Sequence, residues 1–173
     1  MIETLEHATA RGAEPLAYIS GYGTSADAYH ITAGREDGLG AAAEKAALHM
    51  SWLEPADIDY VNAYATSTPV GDLAEIASLR HVFGERLNQI PISSTKSAKG
   101  HLLGAAGGVE AIFTALAVMN EVLPPTLNLT DIDASMEGLD FVPKLARSQR
   151  VNHALCNGFG FGGVNAALVV SKC

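Results

Sequence analysis

The stretch that most constrains the fold is residues 90–122. An apolar run, Ile90-Pro91-Ile92, stops at the hydroxyls of Ser93, Ser94 and Thr95, and Lys96 and then Gly100-His101 follow. Behind them the sequence is apolar to Val122, with Glu110 as the only charge between Leu102 and Asn120. A short apolar run followed by a long apolar segment predicts a strand feeding a helix over 102–122. A cation and an imidazole five residues apart at that junction are poor core filling but a good polar site. Glu110 is expected to be buried, and a buried carboxylate requires a cation or hydrogen-bond donors, for which Lys96 is the obvious candidate. A monovalent cation held by Glu110 and backbone carbonyls is the rival.

The flanking sequence supplies the rest of a sheet. Residues 2–12 read as a short helix ending at Gly12, with no N-cap residue ahead of it. Residues 16–21 read as a buried strand, 22–38 as a polar loop, and 40–53 as a helix with Ala, Leu and Met on one face, closed by Pro55. A strand at 58–63 leads into the hydroxyl-rich loop Thr66-Ser67-Thr68-Pro69. A helix over 69–83 follows, with Asp72 and Glu75 in its first turns, where the dipole favours negative charge. Leu123-Pro124-Pro125 breaks the long helix, and strands are expected at 139–142, 152–156 and 164–170. Strand–helix alternation followed by hairpin-like strands predicts an α/β fold: a mixed five-stranded sheet with helices on both faces.

Composition removes several function classes. A net charge of −8 with scattered basic residues argues against nucleic acid as a ligand. Cys156 and Cys173 have neither disulfide nor metal-ligand spacing, and no cluster among the six histidines has zinc spacing, so no metal is expected. The start, Met1-Ile2-Glu3-Thr4-Leu5-Glu6-His7, is acidic where a signal peptide needs basic residues, and Glu110 interrupts the one long apolar segment. The expectation is a cytoplasmic protein with no membrane span, its long helix buried. At 48% hydrophobic and 17% charged, the chain is also expected to cover surface against a partner.

Two further motifs bear on chemistry. Gly158, Gly160 and Gly163 satisfy G-x-G-x-x-G, but a strand and the chain end follow instead of a helix and a later acidic residue, so dinucleotide binding is rejected. The same residues read as a backbone-dense turn whose Phe159 and Phe161 flank a narrow cavity, or as a tight hairpin with two core aromatics. His101, placed at a helix N-terminus, would be kept uncharged by the local positive potential and so able to donate to a developing oxyanion.

The blocks Ser93-Ser94-Thr95-Lys96-Ser97-Ala98-Lys99-Gly100-His101-Leu102-Leu103-Gly104, Asn62-Ala63-Tyr64-Ala65-Thr66-Ser67-Thr68-Pro69 and Asn157-Gly158-Phe159-Gly160-Phe161-Gly162-Gly163 resemble those of the β-ketoacyl-acyl-carrier-protein synthases, in family order. Thiolases are similar but keep a second catalytic cysteine in the terminal glycine loop, which has no counterpart here. The resemblance implies the C-terminal half of a thiolase-like fold, with residues 1–13 as the last helix of the other half and 14–173 as the ketosynthase C-terminal domain. It implies Lys96 and His101 as catalytic residues. It places Thr32, Thr66 and Thr68 along a phosphopantetheine channel, Phe161 as the gate to the acyl pocket with Phe159 beside it, and Glu110, Asn62 and Asn157 where relatives hold a monovalent cation. No covalently bound cofactor is implied, because phosphopantetheine arrives on acyl carrier protein.

Two departures matter. The family's nucleophilic cysteine lies in the other half, and neither Cys156 nor Cys173 fills that role. Its first catalytic histidine stands in a His-Gly-Thr-Ser-Thr motif, whereas this chain has Tyr64-Ala65-Thr66-Ser67-Thr68. The expected function is therefore the C-terminal portion of a condensing enzyme of fatty acid or polyketide synthesis, inactive alone and working in a dimer or with a cysteine-bearing half. The alternative is a non-condensing partner subunit, resembling a chain-length factor or an acyl-transfer gate. A truncated product that folds only marginally is the third reading.

Overall fold

In the computed structural model, which describes residues 1–31, 38 and 40–173, the sheet forms around the two longest strands. β6 (His153–Gly160) and β7 (Val164–Ser171) make an antiparallel hairpin. β1 (Tyr18–Ala26) pairs antiparallel with β7 along its length, while β2 (Tyr60–Asn62) pairs parallel with β6, and β3 (Ile92–Ser93) parallel with β2. The order β1-β7-β6-β2-β3 is the expected mixed five-stranded sheet, and β4 (Val122–Leu123) and β5 (Arg147–Ser148) form a separate antiparallel pair.

Alternation along the strands sends successive side chains to opposite faces. Val61, Leu155, Ala167 and Val169 pack on one face with Ala43, Ala47 and Leu48 of α2 (Ala41–Ser51) and Ile76, Leu79 and Phe83 of α3 (Pro69–Phe83). Tyr60, Ala154 and Val170 pack on the other with Ala117 and Val118 of α5 (Ala106–Asn120). α3 has the predicted bounds, set by Pro69 in its first turn and Gly84 at its end.

Several expectations are corrected. α1 spans Leu5–Ala10 and does have an N-cap: the Thr4 side chain accepts from the His7 N–H. Residues 22–26, read as loop, continue β1. Gly21 and Gly23 are there because α2 lies against them, so that a Cβ on Gly23 would sit 2.0 Å from the Ala43 carbonyl oxygen. The 139–142 segment is not a strand, because Asp140 Oδ1 accepts the Val142 N–H and Val142 takes φ 46°. Among the described residues its backbone pairing is limited to isolated bonds, the Ile92 N–H donating to the Asp140 carbonyl at 2.8 Å and the Thr126 N–H to the Val142 carbonyl at 2.9 Å, beside a bridge between Thr126 and Pro143. The helix expected over 102–122 starts as a 3-10 turn (Leu103–Ala105) and continues as α5, and a short helix not expected from the sequence, α4 (Lys96–Lys99), precedes it, with His101 between α4 and the turn.

The last correction concerns burial. Leu103–Asn120 is long and apolar enough to cross a membrane by length and composition, but only 28% of it is buried. Leu103, Ile112, Phe113, Leu116 and Met119 are exposed, so the long helix covers the sheet with one face and leaves an apolar face open.

Candidate active site

β2 and β3 end side by side, and their C-terminal ends carry Asn62 and Ser93 in the same register pair. The chain leaves β2 through Tyr64 and leaves β3 through Ser94 and Thr95 into Lys96, which brings the two segments into one corner. Lys96, buried, forms an ion pair with Glu110 Oε1, and Lys99 Nζ lies 3.1 Å from the same oxygen. The partner inferred for Glu110 from sequence is the one found. Lys99 was missed, although its place three residues after Lys96 sets both ammoniums on one side of a helical turn.

Asn62 fixes this centre from below. Its Nδ2 donates to the Glu110 carbonyl at 3.3 Å and to Thr114 Oγ1 at 3.0 Å, tying β2 to α5. Asn62 Oδ1 and Glu110 Oε2 are buried oxygens without hydrogen-bond partners among the described residues.

Tyr64 stands where Lys96 and His101 converge. The Lys96 ammonium lies 4.4 Å from the Tyr64 ring centroid, and the Tyr64 and His101 rings meet edge to face at 5.6 Å. Tyr64 Oη is 3.1 Å from His101 Nε2, and Phe159 lies 6.1 Å from the Tyr64 ring. Burial, with the negative charges of Glu110 and Glu75 behind it, pushes the Tyr64 phenol above its ordinary range. On the opposite side of the His101 ring, the Leu103 N–H donates to Nδ1 at 3.2 Å. A backbone donor from the 3-10 turn orients the imidazole, in place of the helix N-terminus expected from the sequence.

Glu75 holds the Tyr64 backbone. Its two oxygens accept the N–H groups of Tyr64, at 2.8 Å, and Ala65, at 2.7 Å. Asn157 Nδ2 bridges Glu75 Oε1, at 3.1 Å, and Glu44 Oε1, at 2.8 Å. Burial and the neighbouring Glu75 push Glu44 up to about 8, so its carboxyl carries a proton at neutral pH. Glu44 escaped the sequence reading because Glu44-Lys45 resembles an ordinary solvated pair.

Other sequence-predicted residues are spread more widely. Thr66 and Thr68 face each other, Oγ1 to Oγ1 at 3.3 Å. Thr32 lies outside the described residues. Phe159 packs toward the site, near Gly40, whereas Phe161 is exposed at the hairpin tip, so the two phenylalanines do not flank a common cavity. A cavity of about 390 Å³ is lined by Thr68, Ile76, Ile92, Met136 and Phe141, and not by Lys96, His101, Tyr64 or Phe159. Cys156 is buried, and burial raises its thiol to about 12, so it remains a core residue without thiolate character.

Residues 16–130 match the family described as "Beta-ketoacyl synthase, C-terminal domain". The chain belongs to the β-ketoacyl synthase family. Similar curated relatives include a 3-oxoacyl-[acyl-carrier-protein] synthase 2 of Vibrio harveyi, 48% identical over 99% of this chain, and one of Rhizobium meliloti (strain 1021), 50% identical over 99%. The chain spans 42% and 41% of the length of these two ketosynthases. Among solved structures, a type II polyketide synthase acyl-carrier protein in complex with its ketosynthase bound to the hexaketide matches with TM-score 0.95 at 32% identity, over 99% of this chain and 42% of that one. The ishigamide ketosynthase/chain length factor matches with TM-score 0.93 at 36% identity, over 99% and 41%. A beta-ketoacyl synthase from Burkholderia phymatum STM815 matches with TM-score 0.92 at 39% identity, over the same shares. The fold is thus the C-terminal, thiolase-like half of a ketosynthase, as the motifs implied.

Proposed function

We propose that this chain supplies the malonyl-binding side of a 3-oxoacyl-acyl-carrier-protein synthase of fatty acid or polyketide biosynthesis. The reaction it serves is the decarboxylative Claisen condensation of acyl and malonyl thioesters. The observation that carries the reading is the corner where Lys96, anchored by Glu110, and His101, anchored by the Leu103 N–H, converge beside Tyr64. A fixed cation and an oriented imidazole suit a site that binds a carboxylate and stabilises charge developing on a thioester oxygen. Thr66 and Thr68 then border the path of phosphopantetheine delivered by acyl carrier protein, and Phe161 gates the acyl side.

Condensation needs a nucleophile that Cys156 does not provide, since its thiol is buried and protonated. The second half of the site comes from a cysteine-bearing N-terminal half, whose docking would cover the exposed face of α5 at Ile112, Phe113 and Leu116. Residues 1–13 would then belong with that half. The unpartnered Oε2 of Glu110 and Oδ1 of Asn62 also suit a monovalent cation, which would supply positive charge at the base of the site. The test is to combine the chain with a separately expressed, cysteine-bearing half from a relative and follow malonyl decarboxylation and condensation. The reading predicts turnover only in the mixture, and turnover by the chain alone contradicts it.

A second reading, a non-condensing partner subunit, is favoured by one observation: Tyr64 occupies the position of a catalytic histidine. Condensation by the assembled protein, either as it stands or restored by Tyr64→His, supports a modified enzyme, and no condensation with or without that exchange supports the partner subunit.

A further inference from the structure

We propose that Tyr64 is itself the terminal hydrogen-bond donor to the thioester carbonyl, with His101 acting through it in series. This rests on the ketosynthase reading above and adds to it how the substituted site works.

The direction of each hydrogen bond follows from donor accounting. The Leu103 N–H donates to His101 Nδ1 at 3.2 Å, so Nδ1 carries a lone pair and the ring proton sits on Nε2. Nε2 is 3.1 Å from Tyr64 Oη, so the imidazole N–H donates and the phenol oxygen accepts. The hydroxyl proton of Tyr64 is then not used toward His101, and among the described residues Oη makes no other hydrogen bond. It is the one donor of this pair left to point at a ligand. Accepting the imidazole N–H polarises the O–H bond and strengthens it as a donor.

The phenol is also held in place. Its backbone N–H is fixed by Glu75 at 2.8 Å, and its ring is bounded by the Lys96 ammonium, the edge of His101 and Phe159. Burial keeps the proton on the oxygen near neutral pH. In decarboxylation the bond between the malonyl carboxylate carbon and the methylene carbon breaks, carbon dioxide leaves, and the bonding pair becomes an enolate whose charge rests on the thioester oxygen. Tyr64 donates a hydrogen bond to that oxygen, and no proton is transferred. Two imidazoles acting in parallel are replaced by one phenol backed by one imidazole. Tyr64 is then the catalytic residue and His101 its positioning residue.

The test uses a malonyl-pantetheine analogue in which a methylene replaces the thioester sulfur, with ¹³C at the resulting ketone, bound to the chain assembled with a cysteine-bearing half. In the wild type the ketone resonance is expected to move downfield on binding, and ¹⁵N-histidine spectra are expected to show His101 as the Nε2–H tautomer. Tyr64→Phe, which keeps the ring and the Glu75 contacts, is expected to abolish the shift and weaken binding about fivefold. His101→Ala is expected to retain part of the shift. An unshifted ketone in bound wild type, an Nδ1–H tautomer, or a shift that survives Tyr64→Phe and vanishes in His101→Ala would each overturn the proposal. Failure of every variant and the wild type to bind the analogue would instead overturn the ketosynthase reading beneath it.

Discussion

Two buried acidic centres lie on opposite faces of the same sheet, each tied to it by one asparagine, and they are neutralised in different ways. On the α5 face, Asn62 grips the Glu110 backbone and Thr114, while the Glu110 carboxylate meets the ammoniums of Lys96 and Lys99. On the α2–α3 face, Asn157 spans Glu44 and Glu75, and no ammonium of the described residues pairs with either carboxylate. Glu75 is held by two backbone N–H groups, and Glu44 by keeping its proton. In register, Asn62 pairs with Cys156, so Asn157 is one residue further and turns to the other face. Adjacent strands thus present one amide to each side. The difference teaches that burial of a carboxylate is not itself a functional mark. On the proposed function, the centre paired with cations positions chemistry, while the centre paired with dipoles holds the Tyr64–Ala65 backbone.

The largest way to break this comparison is Lys96→Met. Removing one partner of a buried ion pair leaves charge uncompensated, at a cost of about 3–5 kcal/mol, with Lys99 keeping it toward the lower end. Urea denaturation at neutral pH measures it. Next is pH. Glu44 rises from 4.5 in the unfolded chain to about 8 in the fold, so the folded state binds the extra proton between those values. Stability should therefore be greatest near pH 5 and fall as pH rises toward 8, by up to about 1.4 kcal/mol per pH unit. The raised Glu75 carboxyl acts in the same direction. Glu44→Gln should flatten that slope, which denaturation midpoints across the window would register.

Smaller effects separate the two centres further. Glu75→Gln keeps the shape but turns one acceptor of a backbone N–H into a donor, with an expected cost of about 1–3 kcal/mol. The Tyr64 loop should loosen, seen as faster amide exchange at Tyr64 and Ala65. Between the centres, Cys156 should resist alkylation in the folded chain while exposed Cys173 reacts, and both should react after unfolding; mass spectrometry of the labelled chain distinguishes them.

How much of this was legible depends on how local the signal is. The α3 bounds could be read because proline and glycine mark its ends, and the Lys96–Glu110 pair because a lone charge in an apolar helix needs a partner. The second half of β1, residues 22–26, was hidden because Gly23 looks like a loop residue, when it is there to let helix α2 pack close. The short helix α4 was hidden because its hydroxyl neighbours and Gly100 read as a strand-to-helix junction rather than as helix. The Tyr64–His101 bond joins residues 37 apart in sequence, with no periodicity to announce it. Nor could sequence tell that Glu44 is buried while the adjacent Lys45 is exposed.

The most direct measurement is malonyl-thioester decarboxylation by the chain assembled with a cysteine-bearing half, comparing one substitution from each centre. If the Lys96–Glu110 centre serves chemistry and the Glu44–Asn157–Glu75 centre serves the scaffold, Lys96→Ala lowers the rate by about 10²-fold or more, while Glu44→Gln leaves it within about threefold. Equal losses in the two variants, or a loss confined to Glu44→Gln, would contradict the account.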